Sequence, residues 1–291
     1  MEERRAIDMF GAAALTGFAL LLGFNQVVIK LTGDGFAPVL QAGLRSALAA
    51  LVVLIWIRAR GISLSMPPAA LAWGVISGLI FGFEFLALYL ALDLTTVARA
   101  SVIFYSMPVW LGLAAHLWLP GERLSRARGL GMGLAMAGVA LAMADRSTAG
   151  ASLAGDLLAL LASLGWAAVV LLLRMTPLTR VASPVQLLFQ VAVSAPLLLV
   201  LAPLFDTLPR APQPLHYAGL AFQAVCVVSL GYLIWFHLMT LYRTASVASF
   251  SFLSPVFAVL LGWLILGEQI GPAVWAALAL VAAGLVLINR R

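Results

Sequence analysis

The sequence predicts an all-α membrane protein of ten transmembrane helices arranged as two inverted five-helix repeats. Three observations carry that expectation. Of the 291 residues, 64% are hydrophobic and 10% charged, with a mean hydropathy of +1.09. No solvated surface can be built from that composition, so the bilayer must be the solvent. The apolar residues fall in ten runs, each close to the roughly 20 residues that a spanning helix needs. The pattern also occurs twice. Pro108 recurs as Pro255 at an offset of 147, while Glu122 recurs as Glu268 and Gly138 as Gly284 at 146, half the chain to within a residue.

The segments, in order, are about 10–30, 37–57, 70–92, 96–119, 127–144, 154–173, 183–205, 216–240, 245–265 and 272–288. The first follows a charged start, MEERRAIDMF; its length suits a retained spanning helix better than a cleaved leader. The connections are short and carry Pro, Gly, Asp and Arg, as at Pro67-Pro68 and between Pro209 and Pro214. The repeats are expected over 1–146 and 147–291, with no room for a soluble domain.

Net charge is +6, almost all of it from arginine, since Lys30 is the only lysine. In a soluble chain that balance would suggest nucleic acid, but here the basic residues sit in short loops as topology signals. An N-terminus inside places Arg4, Arg5, Arg58, Arg60, Arg123, Arg126, Arg128, Arg174, Arg180, Arg243, Arg290 and Arg291 in the cytoplasm. Lys30, Arg99, Arg146 and Arg210 fall outside; twelve against four predicts both termini cytoplasmic. Five helices per repeat is an odd number, so the second repeat crosses in the opposite sense. Inverted repeats let one central site face either side, which points to transport. The bias towards Arg over Lys and the high Ala content point to a GC-rich bacterial genome and an inner membrane. Cys226 stands alone, so no intrachain disulfide or cysteine metal cluster is expected, and no cofactor is implied.

Ionisable and polar groups at bilayer depth are costly and become the site candidates. Glu84 lies near the centre of the third segment, where it serves a substrate ammonium, a coupling proton, or a structural pairing with Arg45. Arg45 itself, near a helix start, reads as a snorkelling or paired structural residue. Asn25 and Gln26 either bind substrate or bridge to a neighbouring helix. His116 and His237 read as buried neutral side chains. Pro108 and Pro255 are expected to free a carbonyl in mid-helix and act as hinges. Ser101, Tyr105 and Pro108 share a face at i, i+4, i+7, which Ala248, Phe252 and Pro255 repeat. Gly74, Gly78 and Gly82 form a small-residue face for close helix packing, and the latter two are also candidate hinge positions.

Aromatic residues crowd mid-depth: Phe81, Phe83, Phe85, Phe104, Tyr105, Trp166, Tyr232, Trp235 and Phe250. Trp166 and Tyr232 each follow a glycine, an arrangement expected to leave room for a ligand. An aromatic cavity with few polar anchors suits a small molecule with an apolar side chain.

Several of these residues together resemble a known family. GFNQVVIK from Gly23 to Lys30, Pro38 with Arg45 seven residues on, and the doubled unit running from Pro108 to Glu122 and from Pro255 to Glu268 are similar to the drug/metabolite transporter superfamily, in its EamA branch. The resemblance implies two inverted five-helix repeats moving small metabolites, often outward, without ATP. Amino-acid exporters populate that branch. The expected partners are therefore a small-molecule substrate, the lipid bilayer and protons, and not nucleic acid. Rival readings are a channel, or an integral-membrane receptor or enzyme. An enzyme is disfavoured by the lack of a His-Glu-x-x-His motif, and ATP as a driver by the lack of a Gly-x-x-x-x-Gly-Lys loop.

Overall fold

Helices account for the fold. The computed structural model describes residues 7–118, 124–147, 149–206, 210–242 and 250–289. The helices are α1 (Met9–Gly33), α2 (Pro38–Ala59), α3 (Pro68–Leu94), α4 (Val97–Phe104), α5 (Met107–Trp118), α6 (Arg126–Ala144), α7 (Leu153–Met175) and α8 (Ser183–Leu201). Then come α9 (Pro214–Ala221), a π-helical stretch (Phe222–Gly231), α10 (Tyr232–Leu241), α11 (Leu253–Leu266) and α12 (Pro272–Asn289). Among the described residues, eight helical runs are long and apolar enough to span a membrane, and Leu253–Leu266 and Pro272–Ile288 are shorter apolar helices. The bundle is apolar outside as well as inside. Leu51, Ile55, Leu130, Leu161 and Leu264 are all exposed, as lipid contact requires.

Helix starts follow local chemistry. Asp8, Thr96, Ser125 and Ser152 cap α1, α4, α6 and α7 by accepting from Gly11, Arg99, Arg128 and Gly155. Proline opens α2, α3, α9 and α12, where its missing N–H costs nothing.

Small residues set the close crossings. A Cβ on Gly131 would stand 2.7 Å from the Gly284 carbonyl, and one on Gly138 would stand 2.7 Å from the Ala277 carbonyl, so α6 and α12 touch through backbone. On α3, a Cβ at Gly78 would meet Val193 Cβ at 2.5 Å and the Phe189 carbonyl at 2.9 Å, and one at Gly82 would meet Leu197 at 2.8 Å. Gly74 faces Phe189 in the same way, so this face seats α3 against α8. Gly78 and Gly82 both lie inside an uninterrupted helix.

Two predicted segments are broken. The run expected over 96–119 divides into α4 and α5 at Tyr105-Ser106, and the one expected over 216–240 contains the π-helical stretch. Neither proline sits in mid-helix as expected. Pro108 is in the first turn of α5, and Pro255 is in the first turn of α11, after a 3-10 turn at Phe250–Phe252. A first-turn proline removes a donor that has no intrahelical partner, so the chain breaks before each proline, where the ring would otherwise clash. Glu122 and Ala248 lie outside the described residues.

Candidate functional site

A cavity of about 450 Å³ lies within the bundle. Its floor is at mid-bundle: Phe81 and Glu84 of α3, Tyr105 at the end of α4, Trp166 of α7 and Tyr232 of α10. Pro108, Gly112 and Ala115 of α5 and Leu15 to Leu22 of α1 continue the wall. It then reaches Arg128 at the start of α6, Arg174 at the end of α7, Gln186 at the start of α8 and Ile288 near the end of α12. Those four positions lie at one end of the bundle, and we call that end the mouth. No described lining residue comes from the other end, where α3 stops and α4 starts.

The aromatic wall is ordered by stacking. Trp166 lies on Phe104 with centroids 5.1 Å apart and planes at 23°, and meets Tyr105 edge-on at 6.4 Å. Across the cavity Trp235 stacks on Phe18 at 4.9 Å. Glycine lets α7 come close: a Cβ on Gly165 would stand 3.0 Å from Glu84 Cβ. The space beside Trp166 is thus filled by Glu84 rather than left for a ligand. The space at Gly231 likewise meets the Cys226 carbonyl and Leu21. The two glycines therefore do not leave the expected room for a ligand, because helix crossing uses the gap first.

Polar atoms around the floor lack partners. Glu84 is 4% exposed and its Oε2 has no hydrogen bond, and the same holds for Gln26 Oε1, Asn25 Oδ1, Ser101 Oγ and Ser254 Oγ. The Tyr105 hydroxyl faces Gln26 and Ser254, and Tyr232 lies within the fields of Glu84, Arg45 and Tyr105. Buried polar groups are ordinarily paired; of these residues Glu84 and Ser254 line the cavity, where they are equipped to take hydrogen bonds from a bound molecule.

Of the residues singled out from sequence, Glu84, Tyr105, Trp166, Tyr232 and Pro108 line the cavity. Ser101 is wholly buried behind it, Asn25 and Gln26 are buried on α1, Phe252 packs on the core, and Pro255 is buried on α11. Arg45 does not snorkel. It is 1% exposed, with its guanidinium 3.8 Å from the Phe85 ring centroid and 5.3 Å from that of Tyr89. His116 and His237 are both exposed, not buried, and His116 accepts from the Leu124 N–H at 3.3 Å. Sequence reasoning missed Gln190, which lines the cavity and donates to Ser77 Oγ at 3.2 Å, and Ser254. Gln186 and Gln190, four apart in an apolar helix, carry a same-face signal that could have found the first.

The opposite end is cross-linked. Arg99 and Asp156, both fully buried, pair at 2.7 Å; Arg99 also donates to the carbonyls of Ala142 at 2.5 Å and Asp145 at 2.8 Å, and Arg146 joins Asp156 at 2.7 Å. Lys30 Nζ donates to the Leu92 and Thr95 carbonyls at 2.6 and 2.7 Å, capping the end of α3. Arg210 holds Asp93 through two bonds of 2.7 and 3.0 Å, along with Asp206 and the Gly33 carbonyl. Its hydrogen bond to Asp93 raises its already high pKa further. Below them Gln223, wholly buried, donates to Thr32 and accepts from Tyr89 at 2.7 Å and Gln41 at 3.2 Å.

Known proteins are similar to this chain. The profile described as the EamA-like transporter family matches residues 9–144 and again 153–290. The Bacillus subtilis "Uncharacterized transporter YvbV" is 27% identical over 96% of this chain and 92% of its own length. The Escherichia coli K12 "Uncharacterized inner membrane transporter YedA" is 23% identical over 99% and 93%. "Uncharacterized protein PA1977" of Pseudomonas aeruginosa is 31% identical over 99% and 96%. A solved crystal structure, 24% identical, aligns with a TM-score of 0.68 over 95% of this chain and 96% of the other, which shows a shared fold.

Proposed function

This chain belongs to the EamA-like transporter family, within the drug/metabolite transporter superfamily, and from that premise we propose that it is a secondary carrier exporting small metabolites, amino acids foremost, by alternating access. The observation that carries the proposal is the cavity with one mouth: a floor of Glu84, Tyr105, Trp166 and Tyr232, open towards Arg128 and Arg174, with charged cross-links at the far end. By the arginine distribution the mouth faces the cytoplasm, and both termini lie there. That is the loading state of an exporter.

Alternation follows from inverted repeats over 1–146 and 147–291, and from ten spans in which α4–α5 and α9–α10 each cross once. Two features support that organisation. The family profile matches twice. An offset of 146 also carries Gly131 onto Ala277 and Gly138 onto Gly284, so the two close approaches between α6 and α12 exchange places. In the binding step, Glu84 takes the substrate ammonium or a proton, while the aromatic wall takes a large apolar or aromatic side chain. Asn25, Gln26, Ser101 and Phe252 line the path as the helices rearrange. The breaks at Pro108 and Pro255, with the glycine face of α3 at Gly78 and Gly82, absorb the motion.

The test is flux in proteoliposomes loaded with a panel of amino acids, with and without an imposed pH difference. Saturable flux of a subset is expected, with Glu84→Gln abolishing the effect of the gradient. Unsaturable, ohmic current would replace the carrier by a channel.

A further inference from the structure

The Gly-Glu pair that closes the second copy of the repeated unit, Gly267-Glu268, has no part in the cavity. Gly267 ends α11 at φ 64°, a left-handed turn that glycine adopts without strain. That turn sends the Glu268 side chain across the bundle to the start of α4. Its Oε1 accepts the Val97 N–H at 2.6 Å and its Oε2 the Ala98 N–H at 3.0 Å. Residue 262 is glycine where this happens; a Cβ there would stand 2.9 Å from Oε2 and 3.4 Å from Val97 Cβ. With Thr96 Oγ1 taking the Arg99 N–H at 3.2 Å, three of the four orphan donors of α4 are satisfied, two of them by a side chain 170 residues or more away.

The eight residues of α4 run from this contact to the break at Tyr105, which is part of the cavity floor. One short rigid rod therefore has Glu268 at one end and the binding site at the other. We propose that Glu268 is a releasable positioning residue, whose carboxyl group clasps the start of α4 while the mouth is open and lets go when the far end opens. The proposal rests on the alternating-access reading. Release is easier here than at the neighbouring junctions. Asp156 is fully buried between two arginines, whereas Glu268 is only partly buried and forms no ion pair among the described residues. Water can replace a carboxylate at two backbone N–H groups, but cannot cheaply enter around a buried ion pair. The clasp also joins the two family-matched segments, 9–144 and 153–290, at the end that must part.

The experiment places spin labels at Ala149→Cys and Gln269→Cys, two exposed positions at the closed end, in a Cys226→Ser background reconstituted in liposomes. Distances are read by pulsed electron resonance without substrate. The unsubstituted clasp should give mainly the short distance. Glu268→Ala, which removes both acceptors, should raise the ratio of long to short populations about tenfold, the equivalent of one hydrogen bond. Glu268→Gln keeps one acceptor oxygen and the side-chain size but turns an amide donor towards the second N–H, so it should fall between, and it keeps the test valid if the alanine variant does not fold. Unchanged distances in both variants would overturn the clasp. Should a long-distance population exist but ignore residue 268, the clasp falls while alternating access stands. Should no long-distance population appear and the flux prove unsaturable, both fall together.

Discussion

The closed end of the bundle and the cavity floor treat buried polarity in opposite ways. At the closed end nearly every charged side chain holds a helix terminus or an opposite charge: Lys30 at the end of α3, Arg99 at the end of α6 and on Asp156, Glu268 at the start of α4. At the cavity, Glu84 and Ser254 each present an oxygen without a partner. A bilayer offers no water to repair an unmet hydrogen bond, so the paired end is where the protein binds itself. The unpaired floor is where it is prepared to bind something else.

Four measurements would break or sharpen that contrast. The largest effect is expected at Arg99. Arg99→Met leaves Asp156 buried with only Arg146 beside it, and should cost about 3–5 kcal/mol, read as a large fall in Tm in detergent. The paired replacement Arg99→Met with Asp156→Leu should recover much of that loss. At the floor the effect should appear in transport instead. Trp166→Ala removes the ring stacked on Phe104 and should lower apparent affinity roughly tenfold to a hundredfold, about 1.4–2.8 kcal/mol, with helix content unchanged by circular dichroism. If Trp166→Ala lowered Tm as much as Arg99→Met, the division between the closed end and the floor would collapse.

A smaller change is expected at Arg210. Its ion pair with Asp93 is nearly a third exposed on both sides, so Arg210→Gln should cost under about 1 kcal/mol and less at high salt. The smallest effect concerns pH. Burial holds the Glu268 carboxyl above the ordinary carboxylate range, outweighing the Ala98 and Val97 N–H groups and the field of Lys30, which pull it down. A raised value in the clasped state means that closing favours the protonated form. That advantage is fully present below the ordinary carboxylate pKa and is lost as pH climbs through the raised one. The long-distance population should therefore grow with pH across that window, and Glu268→Gln should flatten the profile.

Much of this architecture was legible in the sequence because a bilayer imposes length and polarity on every span. The duplicated spacing matched Gly138 to Gly284, both of which the structure sets in close helix approaches, and depth alone brought Glu84 forward. What stayed hidden depended on partners far along the chain. Nothing near Arg99 announces Asp156, and nothing near Glu268 announces the start of α4. The prolines misled for a local reason: a proline inside an apolar run reads as a kink, although the same ring fits the first turn of a new helix equally well. Arg45 misled because an aromatic face can receive a guanidinium that depth arguments send to the surface.

The π-helical stretch from Phe222 to Gly231 has a consequence for how the floor is built. Its hydrogen bonds reach one residue further than those of an α-helix, and Ser229 Oγ reinforces the widened coil by donating to the Ala224 carbonyl at 2.8 Å. The stretch works as a phase slip in a screw thread. A helical wheel drawn at constant pitch over 214–241 would aim Tyr232 and Trp235 in the wrong direction relative to Gln223. With the slip, Gln223 stays locked among Thr32, Gln41 and Tyr89 while the aromatic pair turns to the cavity. One strand of helix thus serves two azimuths, and tightening the thread would move the second without moving the first.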